Sequence, residues 1–164
     1  MKKLAMILLL SSMVFGANTT IKALFNDIAK KVEAKQYKAV EDNIYSLSDG
    51  LNRDWIMGGI NNPHKEDSIV SSFSIEAVKK LAANSDKFEY ISKSKFKAPL
   101  IKTFTTRFSD DSKDKRFQKD LKKSKNVYVL VIPKVGSVVV YKDNKNFKLI
   151  WWKDMVRLAN TLNQ

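Results

Sequence analysis

Three apolar runs near the C-terminal end limit the possible folds of this chain more than any other feature. Val127–Ile132 and Ser137–Tyr141 are dense in β-branched residues, and Phe147–Trp152 is a third run of similar length. Residues 133–136 and 143–146, which separate these runs, contain the Pro, Gly, Asp and Asn that favour tight turns. Short runs joined by tight turns predict a three-stranded antiparallel meander.

Helices elsewhere in the chain must cover this meander, because its first two strands are apolar on both faces. Thr19 or Thr20 is suited to cap a first helix. The apolar stripe of that helix has helical spacing and consists of Ile21, Leu24, Phe25, Ile28 and Val32. Its opposite face carries Lys22, Asp27, Lys30, Lys31 and Glu33. We expect this N-terminal region to pack on the sheet.

Two further helices are predicted between the first helix and the sheet. The second has an apolar stripe of Tyr37, Val40, Ile44 and Leu47. The third is short: its apolar side runs from Ile75 to Ala82, and Asn84 ends it. Beyond the meander, Asp154 is suited to cap a closing helix at the C-terminal end.

The region between the third helix and the meander is predicted to be mostly extended. Phe88–Ile91 is a candidate strand, and Pro99–Phe108 is interpreted as extended chain with Leu100, Phe104 and Phe108 on one side. Residues 109–126 are a charged interruption with a lysine-rich helical turn around Phe117 and Leu121. The complete pattern predicts an α+β fold, in which N-terminal helices pack on a curved antiparallel sheet that ends in the meander and a short C-terminal helix.

The order of these elements resembles the cone-shaped α+β fold of nuclear transport factor 2-like and ketosteroid-isomerase-like proteins. The resemblance is carried by residues 21–47, where one helix leads into a second, and by the meander at 127–152. It implies a cavity between helices and sheet, which such proteins use for catalysis with a buried acid or for assembly. The charged segment at 109–126 and the extra C-terminal helix depart from the family pattern.

The first residues have the pattern of a secretory signal peptide. Lys2 and Lys3 precede an apolar run at 4–10 that is too short to span a bilayer, and Gly16 and Ala17 are the small residues that a signal peptidase requires. We expect residues 1–17 to be a signal peptide cleaved near Gly16–Asn18. Residues 18–164 would then be a single soluble domain in the periplasm or outside the cell.

The composition excludes several kinds of chemistry. The chain has no cysteine, so disulfides, cysteine zinc sites, thiol nucleophiles and a diacylglyceryl anchor are excluded. It has one histidine, His64, and no His/Asp/Glu pattern at metal-ligand spacing. Gly58 and Gly59 belong to no phosphate-binding motif. No cofactor and no metal site are predicted.

The positive charge is concentrated in one segment. The chain has 30 Lys and Arg against 17 Asp and Glu, and residues 93–125 alone hold 12 bases and 4 acids, a net charge of +8. Such an excess indicates anionic partners rather than a particular fold. An equally simple interpretation is an ordinary lysine-rich solvated surface.

Five bases of this segment are candidate ligand-binding residues. Lys93, Lys95 and Lys97 alternate, which places them on one side of an extended strand with Phe96 on the other. The other two candidates are Lys102 and Arg107. Lysines on an edge strand can also serve only to prevent aggregation. Nucleic acid is disfavoured as a partner, because the aromatic residues look core-facing and arginine is rare.

Tryptophans and two polar residues are the remaining candidates. Trp55, Trp151 and Trp152 are suited to line a cavity or a partner surface, and consecutive Trp151 and Trp152 must point to opposite faces of a strand. Asp54, beside Trp55, and His64, in a loop, are the weak candidates for a catalytic base. Paired carboxylates elsewhere are adjacent in sequence, so they diverge, and we interpret them as solvated.

Three functions remain open from the sequence. The first is an exported, non-enzymatic binding or accessory protein of the bacterial envelope, which recognises an anionic or amphiphilic ligand or a protein partner. The second is a small-molecule enzyme with a cone-shaped cavity and Asp54 or His64 as base. The third is a scaffold component of an envelope assembly. The oligomeric state is not predicted.

Overall fold

The computed structural model of the chain describes residues 17–47, 53–54, 57, 75–110, 112–132 and 136–153. Within them, helix α1 spans Ile21–Glu33 and a 3-10 helix spans Tyr37–Asn43. The later helices are α2 at Ile75–Ala83, α3 at Ala98–Asp110 and α4 at Lys115–Lys122. The strands are β1 at Glu89–Tyr90, β2 at Val127–Ile132, β3 at Gly136–Asp143 and β4 at Asn146–Lys153.

The strands form one antiparallel sheet in the order β1-β2-β3-β4, which confirms the predicted meander. Val129 of β2 lies opposite Val139 of β3, and Asp143 lies opposite Asn146 where β3 turns into β4. Asn144 in this turn has a φ of 56°, a left-handed conformation that Asn adopts more readily than most residues. The predicted α+β class is confirmed.

One face of the sheet packs against α1, the 3-10 helix and α2. The buried side chains on this side form the first core cluster: Leu24, Phe25, Ile28, Ala29, Val40, Ile44, Met57, Ala77, Val78, Leu81, Ala82, Phe88, Leu130, Val138, Val140, Phe147, Leu149 and Trp152. The predicted stripe of α1 therefore faces the core. The predicted cap is also present, because Thr20 Oγ1 accepts a hydrogen bond from the backbone N–H of Ala23 at 3.0 Å.

The opposite face of the sheet packs against α3 and α4. The second core cluster on this side consists of Tyr45, Ile91, Phe108, Phe117, Leu121, Val127, Val129, Val139, Tyr141 and Ile150. Both faces are covered, as the apolar strands predicted, but the N-terminal helices cover only one of them. The helical turn predicted around Phe117 and Leu121 is confirmed as α4, and both side chains are buried.

The extended chain predicted at Pro99–Phe108 is wrong, because Ala98–Asp110 is a helix. Leu100, Phe104 and Phe108 are four residues apart, and this spacing fits one side of a strand as well as one face of a helix. The predicted alternation of Lys93, Lys95 and Lys97 on a strand is wrong for a related reason. Lys93 ends a 3-10 turn at Ile91–Lys93, and the other two lysines lie in the irregular segment before α3.

The second predicted helix is shorter than its apolar spacing suggested. Tyr37–Asn43 is a 3-10 helix, and Ile44 is already extended and forms a parallel bridge with Leu149 of β4. In a 3-10 helix, residues three apart lie on the same side, so Tyr37, Val40 and Asn43 share the inner face. A buried polar residue, Asn43, thus takes the place that the predicted helix gave to Ile44.

Lys31 corrects the predicted polar face of α1, because its side chain is buried. Its ammonium donates to Asn43 Oδ1 at 2.7 Å and lies 2.8 Å from Asp27 Oδ2. Asn43 Nδ2 in turn donates to the same carboxylate at 2.7 Å. Burial by itself would raise the pKa of Asp27, but these hydrogen bonds outweigh it and lower that pKa.

Several predictions lie outside the described residues. They are the signal peptide, which would occupy residues 1–17 and of which only Ala17 is described, and the closing helix after Asp154. Trp55 and His64 also lie outside them. No helix in the described part of the chain is both long and apolar enough to cross a membrane.

Candidate functional site

The segment that contains α3 and α4 carries the main positive charge of the chain. We name residues 93–125 the basic layer, because they include both helices that cover the second face of the sheet. All of its 12 bases are exposed to solvent: Lys93, Lys95, Lys97, Lys102, Arg107, Lys113, Lys115, Arg116, Lys119, Lys122, Lys123 and Lys125. The five bases singled out in the sequence are therefore all exposed, although they do not lie on a strand.

Two acids of the basic layer are turned inward. Asp114 caps α4 by accepting from the backbone N–H groups of Arg116 and Phe117, and it also accepts a hydrogen bond from the hydroxyl of Tyr45. The hydrogen bond from Tyr45 is the main reason that the pKa of Asp114 is lowered. Burial and the neighbouring carboxylate raise the pKa of the Tyr45 hydroxyl. This acid is therefore held as a charged acceptor beneath the layer.

Asp120 has a similar arrangement one helical turn and a half later. Its Oδ2 accepts from the Tyr141 hydroxyl at 3.0 Å and from Asn126 Nδ2 at 2.9 Å. Burial raises the pKa of Tyr141, and the contact with this carboxylate raises it further. The carboxylates of Asp114 and Asp120 thus accept hydrogen bonds from residues of the core, while the bases of the same segment face solvent.

Arg116 is the base of the layer that is most clearly tied to an acid. Its guanidinium donates to Asp143 Oδ1 at 2.6 Å and to Asn144 Oδ1 at 2.9 Å, both in the turn between β3 and β4. It also lies 3.7 Å from Asp114. These contacts position α4 against the sheet, so we do not count Arg116 among the bases available to a ligand.

A groove of about 350 Å³ lies between α3 of the basic layer and the ends of β3 and β4. It is lined by Phe96, Leu100, Thr103, Phe104, Arg107, Phe108, Ser137 and Trp151. Leu100 is 56% exposed, whereas Phe108 is buried at the base. The lining is mainly apolar with few polar groups, which is typical of small-molecule sites, and the volume is at the lower end of their range.

Aromatic contacts fix the shape of this groove. The rings of Phe104 and Phe108 are nearly perpendicular with centroids 4.1 Å apart, and Phe108 and Trp151 are 6.0 Å apart. Phe96 packs against Phe104 at 5.7 Å. The guanidinium carbon of Arg107 lies 5.6 Å from the centroid of the Trp151 ring. A cation therefore stands at one wall of an apolar groove.

The two consecutive tryptophans lie on opposite faces of the sheet, as predicted. Trp152 is buried in the first core cluster, whereas Trp151 is half-buried and packs against the second. Among the predicted ligand-binding residues, the structure brings Arg107 and Trp151 into contact. Lys102 lies close by, because it lines a shallow depression that also includes Thr103 and Arg107.

The catalytic candidates gain no support. Asp54 is not the buried acid that its apolar neighbours suggested: its side chain is 65% exposed and lies 3.2 Å from Arg53. His64 lies outside the described residues, and no described group of His, Asp and Glu is suited to hold a metal ion.

The sequence did not predict the groove itself. Its residues Leu100, Phe104 and Phe108 were noted, but as one side of a strand. The signal that was missed is the apolar pair Leu100 and Ile101, followed by Phe104 and Phe108. Apolar residues at these spacings form one face of an amphipathic helix.

No family model matches this chain, and no curated protein and no solved structure shows significant similarity to it.

Proposed function

We propose that this chain is an exported, non-enzymatic accessory protein that binds peripherally to anionic phospholipid membranes of the bacterial envelope through the basic layer. One observation carries the proposal: all 12 bases of residues 93–125 are exposed, whereas Asp114 and Asp120 form hydrogen bonds with the core beneath them. The predicted signal peptide supports a location outside the cytoplasm, where lipid head groups are an abundant anionic surface.

The energetics favour a lipid surface. A Lys or Arg held near an anionic leaflet contributes about 1 kcal/mol, so a handful of bases is sufficient for reversible binding. The attraction is screened over about 10 Å at 0.1 M salt, so only bases facing the membrane contribute. Leu100, which is 56% exposed beside these bases, offers apolar area to the same surface.

Nucleic acid fits this layer less well. Arginine is the residue best suited to bidentate phosphate contacts, and the layer has only two arginines. Arg116 is one of these two, and it is engaged with Asp143. The aromatic rings nearest the bases pack on one another in the groove and are not presented as a stacking platform.

A pair of charge-reversal variants tests the proposal. The first replaces Lys102, Lys119 and Lys122 of the basic layer by Glu, and the matched control replaces Lys22, Lys30 and Lys38 on the other side of the sheet by Glu. All six lysines are exposed, and the two variants have the same net charge. The chain is recovered from expressing cells and sedimented with vesicles of phosphatidylglycerol and phosphatidylcholine, or of phosphatidylcholine alone.

We expect the basic-layer variant to lose at least about 100-fold in vesicle affinity, because three contributions of about 1 kcal/mol disappear and three repulsions are added. The control variant should lose no more than about 5-fold. Equal losses would show that only net charge matters and would overturn the proposal. So would tighter binding to a single-stranded oligonucleotide than to the vesicles, or retention of the chain in the cytoplasm with residues 1–17 uncleaved.

A further inference from the structure

We infer that the groove between α3 and β4 takes one acyl chain of an anionic phospholipid, with the head group of that lipid near Arg107 and Lys102. This inference rests on the proposed membrane binding and adds a specific lipid site to it. The occupant follows from what the groove offers: an apolar aromatic lining with a cationic wall at one side.

The apolar lining extends along α3. Leu100, Phe104 and Phe108 are four residues apart on this helix, so their side chains form a row roughly 12 Å long. Trp151 closes the row from the sheet side, with its ring 6.0 Å from Phe108. An elongated apolar row matches an acyl chain better than a compact ligand.

The charged end of the ligand is placed by the neighbouring depression. Thr103 and Arg107 line both the groove and this depression, which also includes Lys102, Thr106 and Asp110. Two cations and two threonine hydroxyls are suited to a phosphate, and among the described residues of this depression Asp110 is the acid that opposes them. A lipid with its acyl chain in the groove would therefore place its phosphate near Arg107 and Lys102.

The location of the groove agrees with a lipid drawn from a bilayer. Most of its lining belongs to residues 93–125, so a protein docked through the lysines of the basic layer would hold the groove close to the membrane. Leu100 at the rim is 56% exposed, which brings an apolar side chain to the point where an acyl chain would enter. A docked protein would thus bind one acyl chain of a lipid without extracting that lipid completely from the bilayer.

Two variants in the first turn of α3 separate this site from general membrane binding. Leu100→Glu places a carboxylate in the groove, and Ala98→Glu places the same charge two residues earlier, outside the groove lining. Both residues are exposed, so neither change buries a charge. Sedimentation measures vesicle binding, while quenching of tryptophan emission by phosphatidylglycerol with brominated acyl chains measures contact with the chain.

We expect wild type and Ala98→Glu to be quenched, and Leu100→Glu to lose at least about 5-fold in quenching per molecule of vesicle-bound protein. The vesicle-bound Trp151→Phe protein should lose the quenched part of the emission, which assigns the contact to the groove. Similar quenching of Leu100→Glu and Ala98→Glu would overturn the inference. A tryptophan signal that depends on protein concentration without lipid would overturn it too, because a second copy would occupy the groove.

The two proposals fail in distinguishable ways. Sedimentation without quenching would remove the acyl-chain site and leave the membrane proposal intact. If wild type does not sediment, monomeric short-chain brominated phosphatidylglycerol is titrated instead. Quenching that Leu100→Glu abolishes would then support the groove alone, and its absence would overturn the groove as well.

Discussion

The hydroxyl of Tyr45 donates a hydrogen bond to the carboxylate of Asp114, although 69 residues separate them in the chain. The backbone N–H of Tyr45 donates to the Leu149 carbonyl of β4 at 2.8 Å, so this residue is fixed to the sheet. Asp114 is the N-terminal cap of α4. The contact therefore joins the sheet edge to the helix that carries much of the basic layer.

Tyr45→Phe should lower the free energy of unfolding by about 1 kcal/mol. The hydroxyl bonds to a charged group, which favours a larger loss, but the Asp114 side chain is 34% exposed and water can replace the donor. Urea unfolding measures the effect. Tyr37→Phe is the matched control, because the described part of the structure shows no hydroxyl contact for Tyr37, and it should cost less than about 0.5 kcal/mol. Equal costs would contradict the prediction.

Asp114→Asn should show a pH-dependent loss of stability. The pKa of Asp114 is lowered from its ordinary value of 3.8 in the folded chain, mainly by the Tyr45 hydrogen bond. A depressed pKa adds stability above the unfolded value, and that stability is lost as the pH falls through the folded value. Asn caps a helix about as well as Asp, so the variant isolates the charge.

We expect the difference between wild type and Asp114→Asn to be largest at neutral pH and to shrink below about pH 4. Urea unfolding of both proteins across this range is the measurement. When both proteins also carry Tyr45→Phe, the pH-dependent part of this stability difference should be smaller, because the hydrogen bond from Tyr45 to Asp114 is absent. A difference that stays constant from neutral pH to well below pH 4 would refute the assignment.

The sequence predicted the sheet well, because its signals are local. The meander was correct in its three strands and in the turn at 143–146, and the apolar strands correctly required cover on both faces. The helix at Ala98–Asp110 was missed, because a spacing of four residues fits a strand and a helix equally. Packing of Phe108 against Trp151 of the sheet favours the helix over a strand, and this is a long-range contact that local patterns do not contain.

The candidate site was predicted in part for the same reason. Exposure of Lys102 and Arg107 follows from their charge, so their place on the surface was predictable. Their proximity to Trp151 depends on how α3 crosses β4, and no pattern in the sequence encodes that crossing. The hydrogen bonds of Asp114 and Asp120 were likewise not predictable from the sequence, because their donors, Tyr45 and Tyr141, lie in other elements of the fold.

A register shift between β3 and β4 changes which side chains of β4 are buried together. Val139 lies opposite Trp151, but Val140 lies opposite Leu149, so Ile150 has no partner of its own. Ile150 and Trp151 consequently both contact the second core cluster, although strict alternation would separate them. Alternation alone would place Ile150 on the same face as Trp152.

Ile150→Ala should therefore cost about 2–5 kcal/mol in the free energy of unfolding, as expected for a fully buried aliphatic residue. Lys148→Ala in the same strand is the control and should stay within about 1 kcal/mol. Urea or thermal unfolding distinguishes the two. A cost at Ile150 no greater than that at Lys148 would mean that the shift does not place Ile150 in the core.

The buried ammonium of Lys31 links α1 to the 3-10 helix and gives the last prediction. Lys31→Met keeps the length of the side chain but removes the donor to Asn43, whose side chain is fully buried. Loss of one partner of a buried polar group costs roughly 1–3 kcal/mol. Lys30→Met, at an exposed position of the same helix, is the matched control and should change stability by less than about 0.5 kcal/mol.

A second variant separates the hydrogen bond from simple packing. Adding Asn43→Leu to Lys31→Met removes the unsatisfied amide as well, so part of the lost stability should return, because replacing both polar partners is less costly than removing one. Asp27, whose side chain is 23% exposed, can then take water as its partner. If the double variant is less stable than Lys31→Met by the full cost of Asn43→Leu alone, the two side chains do not interact, and the cost of Lys31→Met comes from loss of its ion pair with Asp27.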